Sequence, residues 1–365
     1  MARLGDYIEQ IRGVSYKPED VCTSQDEDTV AILRANNIQD DGLNLDDLVY
    51  VKKSKVADKQ YIQKGDIVVC ASSGSKGLVG KAAIATEDMY ISFGAFCKVV
   101  RPKKLSPSYV GHYFQSPKYR STISELAGGA NINNIRNEHI DELSIEVVPE
   151  EEQIRIINEL DKVSNLISLR KQQLSKLDEL VKSRFVERFG DYRINNKGFE
   201  TKKGQELFKF SSGKFLPEEK RLENGVPVYG GNGIAWYTNL PLIDYPTIII
   251  GRVGAQCGNI HAVTTPVWIT DNAIYIKEQR IKAYTLEFLT ELMKMMDFYQ
   301  YADFSGQPKI TQKPLETIEY IMPPFDLQKE YTAFVEQIDK SKLAIQKSLD
   351  QLETLKKSLM QQYFG

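Results

Sequence analysis

PEEEQIRIINELDKVSNLISLRKQQLSKLDELVKSRFVERFG, residues 149–190, returns near the end of the chain as PFDLQKEYTAFVEQIDKSKLAIQKSLDQLETLKKSLMQQYFG, residues 324–365. One ungapped register, an offset of 175 residues (149 to 324), aligns Pro149 with Pro324, Gln153 with Gln328 and Leu174 with Leu349. The same register aligns Leu177 with Leu352, Leu180 with Leu355, Lys182-Ser183 with Lys357-Ser358, and Phe189-Gly190 with Phe364-Gly365. A self-match of this length marks a tandem duplication. Each copy reads as one long helix. Leu160, Ile167, Leu174 and Val181 recur every seven residues, with Val163 and Leu177 between them. Val335, Ile338, Ile345, Leu349, Leu352 and Leu359 continue the pattern in the second copy. So narrow an apolar stripe is a coiled-coil seam rather than the broad face of a globular helix. Neither copy contains a proline after its opening one, where a missing N–H does no harm. About 40 residues at ~1.5 Å each make a rod of up to roughly 60 Å. The alternative, two helices in one all-α core, fits poorly with the non-helical sequence between them.

The chain of 365 residues can hold two or three domains, each with its own core. No apolar run approaches the ~20 residues of a membrane span, and MARLGDYIEQIRG lacks the apolar centre of a signal peptide. Four scattered cysteines (Cys22, Cys70, Cys97, Cys257) read as reduced thiols of a cytoplasmic protein. Three histidines without CxxC or HxxxH spacing argue against a metal site. The net charge of −2 conceals local basic clusters: Lys52, Lys53, Lys55 and Lys59; Lys98, Arg101, Lys103 and Lys104; Lys202, Lys203, Lys209 and Lys214. A solvated surface explains any one of them, so charge alone does not decide for nucleic acid.

The segments before each long helix share a plan. In the first, strand-like runs at 30–33, 67–70, 82–85 and 96–100 precede a helical stretch over 108–126. A polar loop, GGANINN (128–134), and a strand over 144–148 complete it. In the second, Thr247-Ile-Ile-Ile250 answers Ile67–Cys70, GRVG (251–254) answers the Ser/Gly loop at 71–77, and 273–277 answers 96–100. A helix is expected over 285–301, and FSGQPKIT (304–311) stands where 128–136 stood. Ile310 falls on Ile135, Leu315 on Ile140 and Ile318 on Leu143 at the same offset. The expected fold is therefore α+β: two globular domains alternating with two long helices that pair as an antiparallel coiled coil, a pseudo-twofold repeat. Expected boundaries are 1–148, 149–190, 191–323 and 324–365.

This constellation resembles the specificity subunit of a type I restriction-modification system over essentially the whole chain. The residues that carry the resemblance are PVYGGNG (227–233), the strand leading into GRVG (251–254), GQPKIT (306–311) before a strand, and the doubled helices ending in Phe-Gly. The first half departs from it, with AILRANN (31–37) where the second has PVYGGNG. The resemblance implies that each globular part is a target recognition domain reading half of an asymmetric bipartite site in double-stranded DNA. It implies that the helices fix the spacing and dock two modification (methyltransferase) subunits, with restriction subunits joining the assembled complex. S-adenosylmethionine, ATP and Mg are then expected on those partners only, and this chain carries no chemistry, metal or membrane contact.

Glycine-rich loops allow close backbone approach, and Arg, Lys, Asn and Gln read purine edges in pairs of hydrogen bonds. The candidate contacts are Ser72, Ser73, Ser75, Lys76, Asn131, Asn133, Asn134 and Arg136 in the first half. In the second they are Ser212, Lys214, Tyr229, Asn232, Arg252, Gln307, Lys309 and Thr311. Two rivals remain. MPPF (322–325) is similar to the Pro-Pro loop of amino-methyltransferases, but Met322 cannot make the hydrogen bonds that loop's first residue must supply. A coiled-coil scaffold binding only proteins would explain the helices but not two sets of matched Gly/Asn/Lys loops.

Overall fold

The computed structural model describes residues 1–40, 42–75, 77–127 and 133–365, with the side chain of Asn133 left out. The expected contacts Lys76 and Asn131 lie outside the described residues. The fold is α+β with two long helices, and the chain divides into two compact units. Unit 1 is Met1–Gln172 with Gln346–Gly365, and unit 2 is Gln173–Ile345. Both cuts fall inside the long helices, so each unit contains a globular part and a segment of each helix.

Unit 1 is built on Ile67–Cys70, four residues buried on both faces. Successive side chains of a strand point to opposite faces. Ile67 and Val69 accordingly join the cluster that holds the helices, while Val68 and Cys70 join a second cluster with Leu33 and Phe93. The antiparallel sheet order is Ala82–Ile84, Ile67–Cys70, Cys97–Pro102, Ile8–Arg12. A second sheet runs Ile91–Phe93, Thr29–Leu33, Val49–Lys52, Val21–Cys22, its first pair parallel. Unit 2 repeats both. Its main sheet is Ile260–Val263, Thr247–Gly251, Ala273–Gln279, Phe208–Ser212, and Ile248 and Ile250 again serve a different cluster from Ile249. Its smaller sheet is Gly233–Thr238, Val226–Gly230, Trp268–Ile269, the last pair parallel. Thr29–Leu33 and Val226–Gly230 thus hold the same place in the two topologies.

Three sequence expectations need correction. The helix expected over 108–126 is two helices, Pro107–Gln115 and Pro117–Leu126. Pro117 has no N–H to donate and disfavours helical geometry before it, so Ser116 is extended (ψ 149°) and its Oγ accepts from Tyr119 N at 3.2 Å. The helix expected over 285–301 is Leu286–Met295, capped by Thr285 Oγ1 on Phe288 N at 3.2 Å. Asp297 in the left-handed region (φ 45°) then turns the chain into a 3₁₀ segment, Phe298–Tyr301. The strand expected over 144–148 pairs only at Ser144–Ile145, because its partner Ala2–Arg3 is two residues long.

The long helices are Glu150–Phe189 and Phe325–Phe364, 40 residues each. Within unit 1 the start of the first helix runs antiparallel to the end of the second: Tyr363 Oη donates to the Glu159 carboxylate, and Lys171 meets Glu353 at 3.7 Å. Within unit 2, Lys342 Nζ donates to Asp178 Oδ1 at 2.6 Å, and Arg188 meets Glu330 at 3.3 Å. Leu160, Val163, Val181, Val335, Ile338 and Leu349 are buried. Ile167, Leu174, Leu177, Ile345, Leu352 and Leu359 are half-buried. Off the stripe, Leu166, Leu180, Leu343 and Leu355 are exposed, as a narrow seam requires. No helix among the described residues is long and apolar enough to cross a membrane.

Candidate nucleic-acid interface

Each unit carries a cleft where loops distant in sequence are clasped together. In unit 1 the Ser/Gly loop and the Asn loop form one two-stranded ribbon, with Ser72 opposite Asn134 and Ser73 opposite Asn133. Ile135, buried, anchors the ribbon by donating its N–H to Ala71 O at 2.8 Å. Unit 2 repeats the clasp: Ile310 N donates to Arg252 O at 2.9 Å, and Val253 bridges Lys309. Asn134 and Lys309 therefore hold matching places.

The cleft of unit 1 is a cavity of about 450 Å³. Ser72 and Asn134 line it, together with Gln10, Arg12, Phe96, Lys98 and Asn137. Ser73 Oγ is engaged locally, accepting from Ser75 N at 3.1 Å. Ser75 and Arg136 are exposed, and Arg136 lies beyond the residues lining the cleft. Lys98 is only 7% exposed, and burial pushes its amine down to about 8. It donates to Gln10 Oε1 at 3.1 Å and Asn137 Oδ1 at 2.8 Å.

The cleft of unit 2 is a cavity of about 580 Å³. Gln256, whose Oε1 accepts from Asn259 Nδ2 at 2.6 Å, lines it with Asn232, Gln307 and Asn272, four residues with carboxamide side chains. Gly231 and Gly251 make this possible. A Cβ on Gly251 would stand 2.3 Å from Gln256 O and 2.8 Å from Gly231 O, so only glycine lets these loops touch. Gly254, at φ +86°, donates its N–H to Pro308 O at 2.8 Å and holds the loop of Gln307 in place. Arg221 stacks over Trp236 at 4.1 Å on the cleft wall. Arg252 is half-buried, and its Nη1 donates to Asp271 O at 3.3 Å. Lys214 and Lys309 are exposed beside the cleft-lining residues Phe215 and Gln307 of their own loops.

Not every expected contact faces a cleft. Tyr229 is half-buried on its strand and packs against the cluster of Ile249 and Ile269; burial raises its hydroxyl above the ordinary tyrosine range. A register shift between Val228 and Tyr229 interrupts the alternation of the strand there, and Gly230 rather than Tyr229 lines the cavity. Ser212 Oγ accepts from Gln312 Nε2 at 3.3 Å, and Thr311 is the N-cap residue of the helix Gln312–Thr317; neither lines the cleft.

The structure also adds residues that the sequence reading passed over. Gln10 and Arg12 belong to the first strand of the main sheet, and Asn137 opens the short helix Asn137–Asp141. Lys98 does carry a signal in the sequence, a lysine within the apolar run Phe96–Val100. In unit 2, Trp236 lacks any local pattern, and Arg221 shows only as a basic residue beside Lys220. Among the described residues no group of three or more His, Cys, Asp or Glu could hold a metal ion.

The family described as "Type I restriction modification DNA specificity domain" matches residues 2–179 and 196–355. The specificity subunit of the type I restriction enzyme StySPI of Salmonella potsdam is 41% identical over 173 residues, 47% of this chain and 37% of that protein. That of EcoKI from Escherichia coli K12 is 40% identical over 173 residues, with the same coverage of 47% and 37%. The match thus spans little more than a third of each of these relatives. Among solved structures, the type I restriction-modification S subunit from M. genitalium superposes with a TM-score of 0.58 at 20% identity, covering 100% of this chain and 95% of that one. That likeness speaks for the fold.

Proposed function

Because this chain belongs to the type I restriction modification DNA specificity domain family, we propose that it is the DNA-reading subunit of a type I restriction-modification complex. Each globular part (1–148 and 191–323) reads one half of an asymmetric bipartite site in double-stranded DNA. The helices at 149–190 and 324–365 set the separation of the halves and dock two modification subunits. Restriction subunits join through that assembly. The chain itself is non-catalytic and works in the cytoplasm; S-adenosylmethionine, ATP and Mg belong to its partners.

One observation carries this reading. The same clasp, Ile135 N to Ala71 O and Ile310 N to Arg252 O, builds a cleft in each unit, while the side chains presented there differ. A shared frame with divergent lining is what two readers of different half-sites need. The test is methylome sequencing of cells carrying this gene with a methyltransferase partner, with and without exchange of residues 200–320. A bipartite methylated motif that changes in one half supports the reading. An unchanged methylome from an assembled complex overturns it in favour of a protein-only scaffold. Arg252→Ala and Lys309→Ala sharpen the test: each weakens recognition of one half-site, and equal loss at both halves contradicts modular reading.

A further inference from the structure

The buried ammonium of Lys98 sits on the cleft of unit 1, at a place usually given to apolar residues. An isolated charge is expensive to bury, so its partners define what the site is arranged to do. Gln10 is fully committed: its Nε2 donates to Asn137 O at 2.9 Å and to Asp141 Oδ1 at 2.8 Å, which leaves Oε1 for Lys98. Asn137 gives its Oδ1 to Lys98 as well. That bond orients the amide, so the group Asn137 has left to offer is its NH₂, a donor. An ammonium has three N–H groups, and two are used. Arg12, exposed on the same cleft, has donors only. Among the described residues no carboxylate lines the cavity.

We propose that Lys98, Asn137 and Arg12 form a donor-only edge that reads a guanine in the half-site addressed by unit 1, an inference that rests on the DNA-reading function above. Guanine shows two adjacent acceptors, N7 and O6, in the major groove; adenine and cytosine each present an amino donor there, which this edge would oppose. Ser72 and Asn134 line the same cleft with donor and acceptor together, as the carboxamide residues of unit 2 do, so the donor-only character belongs to Lys98, Asn137 and Arg12 alone. The plain structural alternative is that Lys98 only ties the strands Cys97–Pro102 and Ile8–Arg12 to the helix Asn137–Asp141.

Asn137→Asp separates the two. Asn137 is exposed at the start of a helix, where a carboxylate is tolerated, and an aspartate keeps an oxygen for Lys98. The structural alternative therefore predicts no change. The reading role predicts that an acceptor now faces the guanine, with methylation at sites carrying it falling about 10- to 100-fold relative to other bases at that position. The experiment is methylome sequencing of the full chain co-expressed with its methyltransferase partner, assembly being checked by co-purification. A bipartite wild-type motif without guanine in the half left unaltered by exchange of 200–320 overturns the proposal. So does an Asn137→Asp motif identical to wild type. Should Asn137→Asp fail to assemble, Arg12→Gln at an exposed position decides: relaxed discrimination at the same guanine supports the proposal, and unchanged discrimination overturns it. Absence of any bipartite motif from an assembled wild-type complex counts instead against the DNA-reading function itself.

Discussion

Tyr109 and Tyr284 stand at the repeat offset of 175 (109 to 284), and each donates its hydroxyl to a carbonyl 37 residues downstream, Glu146 O at 3.1 Å and Ile321 O at 3.0 Å. Gln153 and Gln328 add a second tie at the base of the long helices. Gln153 Oε1 accepts from Ser106 N at 3.0 Å while its Nε2 donates to Val148 O at 2.9 Å. Gln328 accepts from Thr285 N at 3.0 Å and donates to Ala283 O at 2.8 Å and Pro323 O at 2.9 Å. Gln153 and Gln328, which the duplication retains, thus fasten each globular part to the base of a long helix.

Gln328→Ala strands three backbone groups, one in a buried bond and two in part-buried ones, and is expected to destabilise unit 2 by about 3 kcal/mol. Gln153→Ala strands two and should cost less. Denaturant midpoints at constant m-value measure both. A midpoint unchanged by Gln328→Ala contradicts the clamp.

The helix ends carry the aromatic part of the same joint. Phe364 packs on Tyr109 at 5.2 Å and Tyr113 at 5.9 Å in unit 1, and Phe189 packs on Phe288 at 4.6 Å and Tyr331 at 5.3 Å in unit 2. Phe364→Ala should lower the stability of unit 1 by about 3–5 kcal/mol, and Phe189→Ala that of unit 2. Hydrogen exchange followed residue by residue tells them apart. Uniform loss of protection over the whole chain from either variant would argue against separate cores.

Leu174→Pro and Leu352→Pro each remove a helical hydrogen bond within the half-buried seam, a loss of about 3 kcal/mol or more. Both are expected to abolish co-purification of the methyltransferase partner. Retained assembly would mean that the helices are not the dock.

From the proposed role of Lys98, DNA binding by unit 1 is expected to depend on pH. Burial depresses its amine to about 8, while Asp141 and Glu138 pull the other way, and an unfolded lysine titrates near 10.4. Between those values the unfolded chain holds a proton that the folded chain has released, so this group's contribution to stability rises with pH across that window. Affinity moves in the opposite sense, because the site loses a charged donor as pH passes about 8. Binding of a first-half-site duplex should weaken from pH 7 to 9 and do so far less in Lys98→Arg, whose guanidinium stays protonated. An equal slope in both proteins would assign the pH dependence elsewhere.

How far the sequence reaches is plain from particular residues. The period of Leu160, Ile167, Leu174 and Val181, and the offset that returns it at Val335 and beyond, are properties of the chain itself, and they determined both long helices to within a residue at each end. Ile67–Cys70 and Thr247–Ile250 declared themselves as core strands by unbroken apolar character, and Ile135 and Ile310 as a matched pair by their shared offset. Even the break at Ser116 was written in Pro117. What no local pattern could reveal is who meets whom. Gln10 and Asn137 reach Lys98 across 88 and 39 residues of chain. Trp236 finds Arg221, and Tyr229 packs against the cluster of Ile249 and Ile269. Periodicity reports which face of an element is buried. The partner across a cleft is chosen by sheet order and by glycines that let two loops touch, and those exist only once the chain has folded.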